Sequence, residues 1–199
     1  MRQIVFYFDV VSPLAWLAFE QMPQALAGVS HWVDYRPVLR QRLSADPAGV
    51  DRRPKVAAFQ DEVARGQLIA GASATPFAPP AQPFDSGPLL QVALACARIG
   101  AGPNRYQVER VMRHIWQTDG SDPCAPERLA ALAAELAPRR AIDSPEVRSE
   151  LAEASDAAAL RGITAVPAFE VPSLQVRLEG HEALTELAER LHAAVQKGG

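Results

Sequence analysis

Ser12 is the residue whose setting most clearly allows chemistry. It follows Phe6-Tyr7-Phe8-Asp9-Val10-Val11 and precedes Pro13-Leu14-Ala15-Trp16-Leu17-Ala18. A serine directly before a proline reads as a helix start, because the serine oxygen accepts an orphan N–H as N-cap and proline at the first helical position forfeits no hydrogen bond. That helix end carries partial positive charge and unpaired N–H groups, and so favours an anion. A hydroxyl placed there can donate to the anion as well, and the chemistry suggested is stabilisation of a thiolate or a similar negative group. The plainer reading is a cap and nothing more. Other reactive side chains are sparse. Cys96 and Cys124 lie on separate segments without a C-x-x-C spacing and read as buried or incidental thiols. His31, His114, His181 and His192 form no i,i+4 pair and have no nearby cysteine, so no metal site is expected.

The elements that must hold Ser12 come next. Ile4 to Phe8 is a β-branched and aromatic strand ended by Asp9. A helix from 13 to about 27 and a second strand over 32–38 (Trp32 to Val38) complete a βαβ opening, which implies a parallel pair. From about 44 to 88 prolines frame one helical stretch, Lys55 to about Gln67, and Thr75 to Pro83 reads as an ordered loop or a lid. Helical patterns follow at Gly87–Ile99, Asn104–Trp116 and Pro126–Ala137, with Gly100-Ala101-Gly102-Pro103 and Asp119-Gly120-Ser121-Asp122-Pro123 as stops. In the second of these Tyr106, Val108, Val111, Met112, Ile115 and Trp116 recur at helical spacing, the pattern of a face packed in a core. Ser144-Pro145 repeats the cap-then-proline logic and opens a helix to Arg161. Strands at Ala168–Val171 and Leu174–Leu178 and an amphipathic helix from His181 to Val195 close the chain. Strands at both ends with helices between them indicate an α/β sheet interrupted by a helical insertion. Between the last insert helix and the third strand stands Val166-Pro167, either a cis X-Pro bond or an ordinary trans proline at a strand start.

Composition narrows the function classes. With 199 residues, 48% of them apolar, the chain can bury a full core, and a net charge of -3 without a basic cluster longer than Arg52-Arg53 or Arg139-Arg140 gives no nucleic-acid surface and no membrane surface. The N-terminus lacks a signal-peptide pattern and no apolar run approaches a bilayer span, so a cytoplasmic protein is expected.

Phe6-Tyr7-Phe8-Asp9 with Ser12-Pro13, the Arg36-Pro37-Val38 strand, Trp116 before an acidic glycine-containing turn, and Ala165-Val166-Pro167-Ala168-Phe169 together resemble the DsbA-like branch of the thioredoxin superfamily. Within it the chain is most similar to 2-hydroxychromene-2-carboxylate isomerase and the kappa-class glutathione transferases. The resemblance implies a thioredoxin-like fold with an inserted all-helical domain, residues 1–44 and 162–199 forming the first part and 45–161 the insertion. In redox members a C-P-x-C motif opens the first helix, whereas here the aligned residues are Ser12-Pro13-Leu14-Ala15. Thiol–disulfide exchange needs an attacking thiolate and a resolving sulfur, so an oxidoreductase is not expected.

What the resemblance implies instead is glutathione as cofactor, with Ser12 donating a hydrogen bond to its sulfur. In the isomerase the thiolate adds reversibly to an unsaturated, ring-opened substrate, permits rotation and leaves; in a transferase it stays attached. Lowering a thiol pKa from about 8.5 by 1.5 to 2 units takes roughly 2 to 3 kcal/mol of preferential anion stabilisation. Val166 and Pro167 match the segment that pairs with the cysteinyl part of glutathione. Gly180-His181-Glu182-Ala183 matches the family's Gly-x-Asp-Arg segment at the γ-glutamyl end, with glutamate for aspartate and alanine for arginine; His181 and Glu182 equally read as the start of the last helix. Arg42 is the candidate for meeting an acidic, aromatic-derived substrate, and Trp116 a second substrate-side candidate. Asp51-Arg52 and Pro80 to Phe84 fall where the isomerase has its Asn-Arg pair and tyrosine. Homodimers are frequent in the family, so a second copy is an expected partner. The contrasting reading is a non-catalytic DsbA-like binding module.

Overall fold

The computed structural model describes residues 1–43 and 55–196. Its strands are β1 (Arg2–Phe8), β2 (His31–Pro37), β3 (Ala168–Val171) and β4 (Val176–Glu179). Its helices are α1 (Pro13–Ala25), α2 (Val56–Ser73), α3 (Gly87–Cys96), α4 (Arg105–Trp116), α5 (Pro126–Leu136), α6 (Pro145–Leu160) and α7 (Ala183–Gln196). The sheet order is β2-β1-β3-β4, with β2 parallel to β1 and the other pairs antiparallel. Helices α2 to α6 thus enter the chain between two halves of one sheet. The inferred boundary at 44/45 and the residues Asp51-Arg52 lie outside the described residues. No helix among the described residues is long and apolar enough to cross a membrane.

Most elements begin and end where local signals place them. The largest difference is α2, which passes Gln67 and runs through Gly71 to Ser73, with the first proline after it, Pro76, lying beyond its end. Ala74 then takes the left-handed C-terminal position at φ 51° that glycine usually fills. On α4 an Asn104–Gln107 capping box starts the helix, and Val108, Val111, Met112, Ile115 and Trp116 are buried as the spacing requires, but Tyr106 is exposed.

β1 is the centre of both packing layers. Ile4, Phe6 and Phe8 point to one side, into a cluster that includes Trp16 and Phe19 of α1, Leu187 and Leu191 of α7, and Leu89, Met112 and Leu151 of the inserted helices. Phe6 stacks on its cross-strand partner Phe169 at 4.9 Å. Val5 and Tyr7 point the other way, into a smaller cluster with Val38, Ala158 and Ile163, which α6 covers. One continuous core therefore joins sheet and insert, so the site at their junction rests on a rigid base.

Two contacts give measurable consequences. A Cβ on Gly102 would stand 2.3 Å from the Tyr35 carbonyl oxygen of β2, a backbone atom that cannot swing aside. Gly102→Ala is expected to destabilise by about 1–3 kcal/mol, read as a lower urea midpoint at constant slope. Tyr7 donates to Glu170 at 3.0 Å, and burial followed by that hydrogen bond pushes its pKa up to about 12 from 10.0. A folded pKa above the unfolded one stabilises fully below pH 10 and loses that stabilisation as pH rises toward 12. The stability advantage of wild type over Tyr7→Phe should accordingly shrink across that window in pH-resolved melts.

Candidate active site

The strand ends converge on one edge of the sheet. β2 runs parallel to β1 and pairs Phe8 with Pro37, so Val38 to Arg42 leave the sheet beside Asp9 to Ser12. β3 runs antiparallel with Ala168 opposite Tyr7, so residues 164–167 enter the sheet at the same end where Asp9 leaves it. Gly180 then donates its N–H to the Pro167 carbonyl at 2.8 Å, which adds the 180–182 turn to the same edge. Four loops from distant parts of the sequence meet there: 9–12, 38–42, 164–167 and 179–182.

Asp9 fixes the first of them. It is fully buried, and its carboxyl accepts the Val11 N–H at 3.2 Å and the Arg40 N–H at 2.9 Å. Its own carbonyl accepts the Ser12 N–H at 3.0 Å, closing a turn that aims α1. Burial pushes the Asp9 pKa up, opposed chiefly by the Arg40 backbone hydrogen bond. The Ser86 hydroxyl also favours the charged form, although its geometry falls short of a hydrogen bond. Arg40 spends its guanidinium on Glu62 of α2 at 2.9 Å, and the Leu39 N–H donates to the buried Ser155 hydroxyl of α6 at 2.9 Å. The loop after β2 is thereby tied to β1, α2 and α6.

Ser12 caps α1 as its neighbours require: its oxygen accepts the Ala15 N–H at 3.4 Å, a long bond. Its own O–H has no acceptor among the described residues. Ser144 caps α6 in the same way, accepting Val147 N–H at 3.3 Å, so the cap alone marks nothing. Burial separates the two. Ser12 is 1% exposed, whereas Ser144 is half-buried. Part of what closes over Pro13 is Gly66 of α2, whose missing side chain leaves a gap only 3.0 Å from the Phe77 ring and 3.2 Å from the Pro13 Cβ. Phe77 stacks on Trp116 at 5.6 Å, and the Trp116 indole donates to the Val10 carbonyl at 3.2 Å. Trp116 is fully buried and braces the turn before Ser12 from below the surface.

The remaining candidate residues fall as follows. Val166-Pro167 is cis, and the Val166 N–H has no partner among the described residues. His181 and Glu182 are exposed, pair with one another at 3.6 Å and directly precede α7. Arg42 makes a two-point pair with Asp156 of α6 at 2.8 and 2.7 Å, so its guanidinium is engaged within the chain. Cys96 is buried and Cys124 half-buried, neither in a disulfide. No group of three or more metal-ligating side chains occurs among the described residues. Three cavities of about 640, 570 and 360 Å³ are lined by other segments, and Ser12 is in none of these linings. Sequence reasoning missed Asp9 as the anchor of this edge. The signal was present, since a lone carboxylate between an apolar strand and an apolar loop has to find buried donors.

A parallel strand pair followed by an antiparallel pair, a helix opening beside a cis proline, and no sulfur at either end of the opening tetrapeptide define a thioredoxin-like protein without its redox pair. The chain belongs to the DSBA-like thioredoxin domain family, which matches residues 3–192. Among solved structures, a 2-hydroxychromene-2-carboxylate isomerase is similar with TM-score 0.78 and 18% identity, covering 98% of this chain and 97% of that one. The cytosolic disulfide reductase DsbM from Pseudomonas aeruginosa is similar with TM-score 0.61 and 16% identity over 98% of each chain. The same reductase with GSH gives TM-score 0.62 at the same identity and coverage. No curated protein sequence matches.

Removing the Asp9 carboxyl should loosen this edge. Asp9→Ala leaves the Val11 and Arg40 N–H groups without acceptors and is expected to cost about 1–3 kcal/mol, with Asp9→Asn milder because one acceptor remains; chemical denaturation of both variants measures it.

Proposed function

We propose that the protein is a glutathione-dependent isomerase of the 2-hydroxychromene-2-carboxylate isomerase type, working in the cytoplasm, with Ser12 as the residue that stabilises the thiolate. The observation that carries the reading is the buried Ser12 hydroxyl, whose proton is unclaimed at the N-terminus of α1, on the sheet edge where the unpaired Val166 N–H also arrives. The site fits a thiol ligand in three respects. The hydroxyl can donate while it continues to accept from Ala15, because the two roles use different parts of the group. The N-terminus of α1 adds favourable potential for an anion. The backbone of Val166 can pair with an extended peptide-like ligand as an added strand would. When bound, glutathione supplies a nucleophilic sulfur that adds to an unsaturated carbon and is released again.

Ser12 holds one hydrogen bond on the anion. Asp9 and Trp116 hold the turn that aims it. Val166 would orient the cysteinyl backbone, and Gly180 to Glu182 would lie toward the γ-glutamyl end, with Glu182 as the acid that meets the amino group. Absence of sulfur at positions 12 and 15 argues against disulfide exchange, although a protein of similar fold is a disulfide reductase. That same reductase solved with GSH supports a thiol-peptide ligand for the fold. Transfer in place of isomerisation needs no different residue in this set.

A second reading, a binding module without catalysis, is favoured by one specific observation: Ser12 is 1% exposed and lines none of the three cavities described above.

Calorimetric titration with glutathione separates the two. Wild-type protein should bind saturably and show ultraviolet thiolate absorbance near neutral pH, and Ser12→Ala should lose that absorbance with turnover falling about 100-fold or more, the usual effect of deleting one anion-stabilising donor. Absence of binding at millimolar glutathione would leave the module.

A further inference from the structure

We propose that Glu179 is a positioning residue for the ligand-pairing backbone: its carboxylate holds residues 164–165 so that Val166 presents its N–H to the cysteinyl segment of glutathione. This rests on the glutathione reading above and deepens it.

Glu179 is the last residue of β4 and stands opposite Ala168 in the ladder. Its carboxylate collects every donor that the preceding turn offers. Thr164 N–H lies 3.2 Å from both oxygens, the Thr164 hydroxyl donates to Oε2 at 2.7 Å, and the Ala165 N–H donates to the same oxygen at 3.0 Å. On the far side of Val166, the Gly180 N–H donates to the Pro167 carbonyl at 2.8 Å. The unpaired Val166 is therefore bracketed by a carboxylate clamp before it and a ladder bond after it, both launched from adjacent residues at the end of β4.

The donor set favours an acid at this position. Two successive N–H groups and a hydroxyl converge on one point, and a carboxylate is an acceptor at all its lone pairs. A glutamine of the same length would turn donors toward donors on one side. Thr164 and Ala165 are exposed, and among the described residues their N–H groups have no other partner, so without Glu179 the turn is left to water. A turn free to sample many shapes must be ordered when the ligand binds, and that cost appears as lost affinity. Ser12 lies on another element and does not depend on the clamp, so ionisation of the bound thiol should survive its loss.

The experiment uses the full chain as wild type and as Glu179→Ala, Glu179→Gln and Glu179→Asp. Amide hydrogen exchange, calorimetric titration with glutathione, and ultraviolet absorbance of the thiolate at saturation are measured on each. Glu179→Ala should raise exchange in a peptide spanning 163–168 while the β1 and α7 peptides stay protected, and should weaken glutathione binding about tenfold. At saturating glutathione the thiolate absorbance should match wild type. Glu179→Gln, whose oxygen can stand at the Oε2 position, and Glu179→Asp, which keeps the charge, should each recover part of the affinity. Unchanged exchange over 163–168, or freed exchange with unchanged affinity, overturns the role. Global loss of protection in Glu179→Ala together with no recovery in Glu179→Asp also overturns it, since Glu179 would then be a folding contact. If wild type itself binds no glutathione, the preceding functional reading fails and this role falls with it; normal wild-type binding with a silent variant removes this role alone.

Discussion

The buried carboxyl of Asp9 is the constraint on which the edge of the sheet depends. A carboxyl at zero exposure costs several kcal/mol unless donors surround it, and here the donors are backbone N–H groups from the two loops that have to be brought together. The polar group thus does what apolar packing cannot: it specifies a direction. Val11 and Arg40 have to approach it from fixed sides, which orients the first turn of α1 and the exit from β2 in one step. Arg40 then passes the constraint to α2 through Glu62, and Leu39 passes it to α6 through Ser155. The inserted helices are joined to the sheet edge by hydrogen bonds as well as by the shared core.

Chemistry follows from which groups this network leaves unspent. Arg40, Arg42 and the Trp116 indole are all engaged within the chain. Near α1 the groups still open among the described residues include the Ser12 proton, the Val166 N–H and the buried Trp16 indole N–H. Hydrogen-bond donors of this kind stabilise negative charge without accepting or donating electrons.

Much of the architecture was legible in the residues because it is written locally. The Ser-Pro starts of α1 and α6, the apolar β1 run and the glycine and proline stops each name an element boundary without reference to the rest of the chain. The place of Ser12 at a helix start was legible for the same reason. Less legible were features made by long-range partners. Nothing in the neighbourhood of Glu179 announces that it will face Thr164, because the pair is created by the turn of β3 into β4. Arg42 reads as a free cation until α6 brings Asp156 beside it. The extension of α2 beyond Gln67 was missed because its end depends on Ala74 adopting a conformation that an alanine seldom takes.

Gly102 bears on how the molecule behaves among its own copies. The sheet order makes β2 an outer strand of seven residues, and such strands invite unwanted pairing with neighbouring chains. The loop that carries Gly102 lies against the Tyr35 carbonyl at a distance no side chain would permit, so an incoming strand has first to dislodge it. β4, at the opposite margin, is only four residues long. A close-packed loop on one margin and brevity on the other leave little open strand edge for another chain to pair with.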